Sequence, residues 1–238
     1  MNRLPGPRKT ARLSDSIHHQ LNMYALAATA AGVGVLALAQ PAEARIVYTS
    51  ANTRIPINTY AVRIDLNHDG VFDFLFYNVS RDGGSSKPPS GFRYGSLIVR
   101  AVQQSNRVWA VTTEDFPLPC AAALPKGVKV GPDAQFQAGP SSLPMDVFSG
   151  STGGGWSACP WHGTHRAYLG LKFLIKGKTH FGWARLSVHG TISSERATLT
   201  GYAYETVPNK PIIAGQTKGR DAQASEAGTL SALARGAK

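Results

Sequence analysis

From Ile46 onward the chain alternates hydrophobic and polar residues with a period close to two, in short stretches broken by Gly, Pro, Asn and Ser. That pattern predicts strands with one buried face, not helices, whose apolar positions recur every three to four residues. "IVYTS" (Ile46–Ser50) opens the series, and "INTYAVRIDL" (Ile57–Leu66) and "DFLFYNV" (Asp73–Val79) flank an acidic turn as a hairpin. "SRDGGSSKPPSG" (Ser80–Gly91) reads as a loop on composition. "SLIVRAV" (Ser96–Val102) and "RVWAVTT" (Arg107–Thr113) predict a second hairpin across "QQSN". The region from Phe116 to Trp156 is rich in Pro, Gly and Ser and predicts long loops with one or two short strands. The clearest strands come late. "AYLGLKFLIKG" (Ala167–Gly177) and "THFGWARLSVHG" (Thr179–Gly190) meet at a Gly-Lys turn, "ATLTGYAYETV" (Ala197–Val207) follows, and "PIIAG" (Pro211–Gly215) closes the core. In the second of these, Phe181, Trp183, Arg185 and Ser187 fall on one face and Ala184, Leu186 and Val188 on the other. So many consecutive strands with short turns imply an all-β fold, an antiparallel β-sandwich of jelly-roll or lectin-like type with long Gly/Pro-rich loops.

Composition sharpens this picture. A hydrophobic fraction of 42% supplies a core, while 16% charged residues with 25 Gly and 15 Pro suit a turn-rich β protein. The chain divides into residues 1–44, a β-sandwich domain at 45–215, and a polar, small-residue tail at 216–238 that the sequence predicts to be flexible. Arg3, Arg8, Lys9 and Arg12 precede the uncharged stretch Leu21–Ala39, and Ala42-Glu43-Ala44 has the small-x-small form of a signal-peptidase site. Basic, apolar and A-x-A segments in that order predict a secretory signal cut after Ala44. A retained anchor is the rival reading, but the stretch is rich in Ala and Gly and only moderately apolar. The expectation is a secreted or periplasmic protein with no membrane insertion after cleavage.

The net charge of +11 is dispersed, with +7 of it in residues 45–214 and no run of five basic residues. A nucleic-acid binder needs a focused basic patch, so nucleic acid is not an expected partner. Attraction to extracellular polysaccharide or a cell surface fits dispersed positive charge better. Export also fixes the reading of Cys120 and Cys159. Two cysteines in an oxidising compartment pair, and a loop of this length is stabilised by about 4 kcal/mol on the chain-entropy model.

The strongest chemical signal is "DLNHDGVFD". Asp65, Asn67, Asp69 and Asp73 hold positions 1, 3, 5 and 9 of a calcium loop, Gly70 holds the bend at position 6, and Val71 offers its carbonyl at position 7. Calcium takes six to eight oxygens, and clustered carboxylates repel one another without a cation. Phe76 at position 12 and the flanking strands exclude the helical EF-hand. The loop resembles the calcium loops of β-propeller blades of the integrin type. A metal-free polar turn is the plain alternative, because Asp, Asn and Gly favour turns on their own.

Other candidates carry less. His162 and His165 in "CPWHGTH" lie three apart but lack a third zinc ligand. Trp156 and Trp161, beside "GGG", are candidates for stacking on sugar rings, or for capping the core edge near the disulfide. His180 begins a strand and suits a hydrogen bond within its hairpin. Glu205 is a lone carboxylate where glycoside hydrolysis needs two. No nucleophile elbow, Walker loop or dinucleotide motif occurs.

Two segments, "DLNHDGVFDFLF" and "YLGLKFLIKGKTHFGWARLSVHG…ATLTGYAYETVPNKPIIAG" (Tyr168–Gly215), resemble exported bacterial PEP-CTERM-type surface proteins and their relatives. Those proteins share a "G-F-x-F…H-Y-G-W-A-R" hairpin and a "Y-A-Y-E-x-x-P" strand. The resemblance covers less than half of the residues after Ala44 and implies an extracellular β-sandwich without enzymatic activity. "EAGTLSALARGAK" (Glu226–Lys238) departs from the family's sorting tail. Together these readings predict a secreted, calcium-stabilised, non-enzymatic module for adhesion or carbohydrate binding. A secreted hydrolase acting on polysaccharide is the alternative.

Overall fold

The computed structural model describes residues 45–82, 93–137, 142–151, 154–191 and 194–219. The export segment (1–44) and most of the tail (220–238) lie outside the described residues. Two five-stranded sheets dominate. In the first, β1 (Ile46–Ile55) lies beside β13 (Ser194–Glu205), followed by β12 (Lys178–Thr191), β11 (Ala167–Ile175) and β5 (Arg107–Val108). In the second, the order is β10 (Gly154–Ala158), β9 (Ser142–Ser151), β4 (Arg93–Ala101), β3 (Phe74–Asp82) and β2 (Val62–Ile64). All ladders between these strands are antiparallel. Two small ribbons complete the fold, β6 (Ala110–Thr113) with β7 (Phe116–Ala121), and β8 (Lys129–Val130) with β14 (Ile212–Ile213). Among the described residues there is no helix. The molecule is an antiparallel β-sandwich. Consecutive strands stay largely within one sheet, as two meanders, and this order does not single out the jelly-roll or lectin-like variety.

The core between the sheets is built from the alternation. Phe74 and Phe76 of β3, Leu97 and Val99 of β4, Leu169, Leu171 and Phe173 of β11, and Ala184, Leu186 and Val188 of β12 all point inward. The first sheet is also buried on its other face. Tyr168, Phe181, Trp183 and Ala203 pack there against Leu124, Val130, Ile212 and Phe136. This explains why β11 is almost continuously buried where a one-sided strand would alternate. The expected face division of β12 holds, and a third layer covers its second face. Between β11 and β12, Lys176 (φ 50°) and Gly177 (φ 76°) form the two-residue turn, both left-handed, whose twist suits a hairpin.

Three expectations need correction. Ile57–Leu66 is strand only at Val62–Ile64, because Asn58 takes φ 53° and clamps Ser80, accepting its N–H at 2.9 Å and donating to its carbonyl. The hairpin across "QQSN" does not form. β4 pairs with β3 and β9 while β5 pairs with β11, so this connection crosses from one sheet to the other. Arg107 closes the crossing with hydrogen bonds to the carbonyls of Gln104 (2.6 Å) and Asn106 (2.8 Å). Finally, "SLPMDVFSGS", in the region read as long loops with one or two short strands, is the ten-residue interior strand β9. Its proline is tolerated at a bulge, where Leu97 faces Asp146, Ile98 faces Pro144 and Met145 is the extra residue.

Cys120, at the end of β7, is bonded to Cys159, just past β10, with Cα atoms 5.5 Å apart. The bridge spans 39 residues and ties the β6–β7 ribbon to the edge of the second sheet. Both cysteines are buried. The double substitution Cys120→Ser with Cys159→Ser is expected to lower unfolding stability by about 4 kcal/mol. Chemical denaturation with a strand-sensitive circular dichroism signal checks this, and an unchanged midpoint would contradict the assigned role.

Candidate functional site

The acidic turn joins β2 to β3 and is anchored by core residues, Ile64 before it, Leu66 at its second position and Phe74 after it. Its first carboxylate organises the bend. Asp65 accepts the N–H of Asp69 at 3.2 Å and of Gly70 at 2.8 Å, one on each oxygen. His68 (φ 60°) and Gly70 (φ 87°) supply the left-handed positions this wrapping needs. The His68 ring reaches β1, its Nε2 2.9 Å from the Thr49 hydroxyl. Asp69 accepts the Val71 N–H at 2.9 Å and the Asn67 side-chain amide at 2.8 Å. Those bonds, that from Asn67 first, hold its carboxyl below the usual range. Asn67 Oδ1 is left buried with no hydrogen-bond partner.

Asp73 behaves differently. It is 5% exposed and turned inward, where one oxygen accepts the Leu66 N–H at 2.9 Å and the other the Asn106 amide at 3.1 Å. Asn106 belongs to the β4–β5 crossing, and the Val102 N–H donates to the Asp73 carbonyl at 2.9 Å. The residue therefore fastens that crossing to the acidic turn. Nothing in the sequence signalled Asn106, because the contact depends on how two separate connections meet. Burial pushes the Asp73 carboxyl up to about 6, and the charges of Asp65 and Asp69 add to this. Among the described residues, no three His, Cys, Asp or Glu side chains converge as a metal-binding group. On the turn the carboxylate oxygens of Asp65 and Asp69 each accept an N–H, Asn67 Oδ1 has no partner, and Asp73 is turned into the core.

The other candidates separate clearly. Trp161 is fully buried between the sheets, its indole N–H bonded to the Ala121 carbonyl at 3.0 Å. It is a core residue, and the expectation that it contacts glycan is corrected. Trp156, on edge strand β10, is 51% exposed. His162 does not join His165. Its Nδ1 lies 2.9 Å from the fully buried Asp146 carboxylate on β9, which ties the segment after the disulfide to the sheet. His165 packs instead on His189 of β12, with ring centroids 4.6 Å apart. His180 is buried and bonded through Nδ1 to the Glu205 carbonyl at 2.9 Å, so its hydrogen bond runs to the neighbouring strand β13 and not within the β11–β12 hairpin as expected. Glu205 is 2% exposed, accepts the Val207 N–H at 3.0 Å and lies 3.8 Å from Lys210 Nζ. Two surface cavities, of about 400 Å³ beside Lys126 and Gln216 and about 190 Å³ beside Phe136, have no carboxylate in their walls.

Compared with known proteins, the chain matches no family model, no curated protein and no solved structure.

The raised Asp73 carboxyl predicts a pH dependence. The folded state holds a proton up to about pH 6 that an unfolded carboxyl near 3.8 has already lost, so stability falls as pH rises through that window. In chelator-treated protein the thermal midpoint is expected to drop between about pH 4 and 6, with a contribution of at most roughly 3 kcal/mol from this group. Asp73→Asn keeps the acceptor for Leu66 and removes the titrating charge, so it should flatten that part of the profile. An unaltered slope in the variant would show that other groups set it.

Proposed function

We propose that the chain is an exported, calcium-stabilised, non-enzymatic module that binds carbohydrate at an extracellular surface. The observation that carries the calcium reading is the wrapping of the Asp65 carboxylate by the Asp69 and Gly70 amides, with Asn67 Oδ1 left buried and unbonded beside it. An orphaned buried oxygen among carboxylates is a cost that a cation removes. Asp65, Asn67, Asp69 and the Val71 carbonyl would hold the ion, with Asp73 as a further ligand once ionised. Calcium supplies counter-charge here and takes no part in a reaction. Its effect is to fix the connection between β2 and β3, so its binding energy adds to folding.

Carbohydrate binding is supported by Trp156, a large aromatic side chain held half-exposed on a strand, and by the dispersed positive charge. The likeness to exported surface proteins and the basic–apolar–A-x-A order of the first 44 residues support the extracellular location.

Thermal denaturation with and without chelator tests the calcium reading. With calcium at 100 times its dissociation constant the gain is about 2.7 kcal/mol, so the midpoint should fall on chelation and recover with calcium more than with magnesium. Asp69→Ala should abolish most of that response and leave a folded domain, because the core residues on either side of the turn are untouched. A midpoint indifferent to chelator in protein shown to be metal-free would reduce the turn to a polar connection.

A further inference from the structure

The ladder of the second sheet brings Trp156 to residues that sequence proximity does not suggest. Trp156 stands opposite Ser149, Ser149 opposite Tyr94, and Tyr94 opposite Arg81, in one row across β10, β9, β4 and β3. Residues directly opposite in a ladder share a face. That face is the outer one, because the alternate positions Leu97 and Val99 of β4 and Phe74 and Phe76 of β3 fill the core. Tyr94 is 45% exposed, and the small, largely buried Ser149 forms a floor between the two rings. Two strand spacings put the aromatic residues roughly 10 Å apart. The same face carries Arg63, Arg81 and Arg100 and no Asp or Glu at its described positions.

We propose that this row binds an unbranched anionic polysaccharide, stacking sugar rings on Trp156 and Tyr94 and pairing sugar carboxylates with Arg81. The proposal rests on the carbohydrate reading above and gives it a site and a substrate class. The apolar C–H faces of a sugar ring suit an exposed indole or phenol, whose rim stays wet. The two rings, standing two strands apart on either side of Ser149, would offer a chain crossing the strands two stacking platforms. Arginine presents a planar fork to a carboxylate, and a face without acidic groups does not repel a polyanion. A neutral glycan would use the rings alone.

Affinity electrophoresis of the exported protein through gels containing polygalacturonate, or neutral hydroxyethylcellulose, tests this. Retardation is expected in polygalacturonate and less in the neutral gel. Trp156→Ala and Tyr94→Ala should each weaken it about fivefold or more. Arg81→Ala should weaken binding to polygalacturonate and not to the neutral polymer. Leu118→Ala, an exposed change on the β6–β7 ribbon, should have no effect. Trp156→Tyr keeps a stacking ring and should retain most binding, which separates lost stacking from damaged folding. If the wild-type protein is retarded and the Trp156 and Tyr94 variants match it, the row is wrong and carbohydrate binding stands. If the wild-type protein passes every gel freely, the carbohydrate reading falls and the row with it. Equal retardation in both gels, with no effect of Arg81→Ala, overturns the preference for anionic chains.

Discussion

Burial of the first sheet on both faces is the constraint from which the rest of the architecture follows. β11 carries apolar side chains at nearly every position, and β12 adds Phe181 and Trp183 on the face turned away from the second sheet, so one opposing sheet cannot satisfy them. Leu169, Leu171 and Leu186 face the second sheet, and Tyr168, Phe181 and Trp183 need another cover. The segment from Trp109 to Phe136, with Ile212 returning from the other end of the chain, supplies it. Close approach is needed there, and Gly170 allows it. A Cβ at that position would meet the Trp109 side chain at 3.0 Å. The disulfide, from Cys120 within this covering segment, then holds it to the edge of the second sheet.

This dependence explains which parts of the fold were legible in the sequence. The late strands and the hairpin around the acidic turn were readable because alternation and turn chemistry are local signals. The cysteine pair was readable because two thiols in a chain read as exported have one partner each. β9 was not, since Pro144 and its serines resemble a loop until strands on both sides and a bulge accommodate them. The crossing after β4 was hidden for a different reason. Alternation identifies a strand but not the sheet it joins, and Val99 and Val108 enter one core from strands of opposite sheets.

The candidate site divides in the same way. The spacing of Asp65, Asn67, Asp69 and Asp73 could be read directly, but the inward turn of Asp73 could not. It depends on Asn106, 33 residues away, arriving through the crossing. Trp156 and Trp161 look equivalent in sequence, each beside small residues near Cys159. They differ because the chain passes beneath the second sheet between them, placing Trp161 in the core and leaving Trp156 on the rim. Tyr94 acquires meaning only through register.

The two elements to which a function is proposed lie at opposite ends of the second sheet. The acidic turn adjoins Phe74 at the start of β3, and Arg81 stands near its end, seven residues on, or roughly 23 Å along an extended strand. A cation at the turn therefore cannot bridge to a sugar at Trp156 and Tyr94. Asp65, Asp69 and Asp73 are concentrated at one end, where Arg63 and Arg100 also lie, while Arg81 is the charged residue of the row at the other. Under the proposed function, coupling between metal and ligand would run through the strands. β2 is only three residues long and is paired to β3 alone, so it is the part of the sheet that a loosened turn releases first. β4, β9 and β10, which carry Tyr94, Ser149 and Trp156, are held independently by one another and by the disulfide. Under the proposed function, a cation at the turn would act on stability, and recognition would fall to the face at the far end.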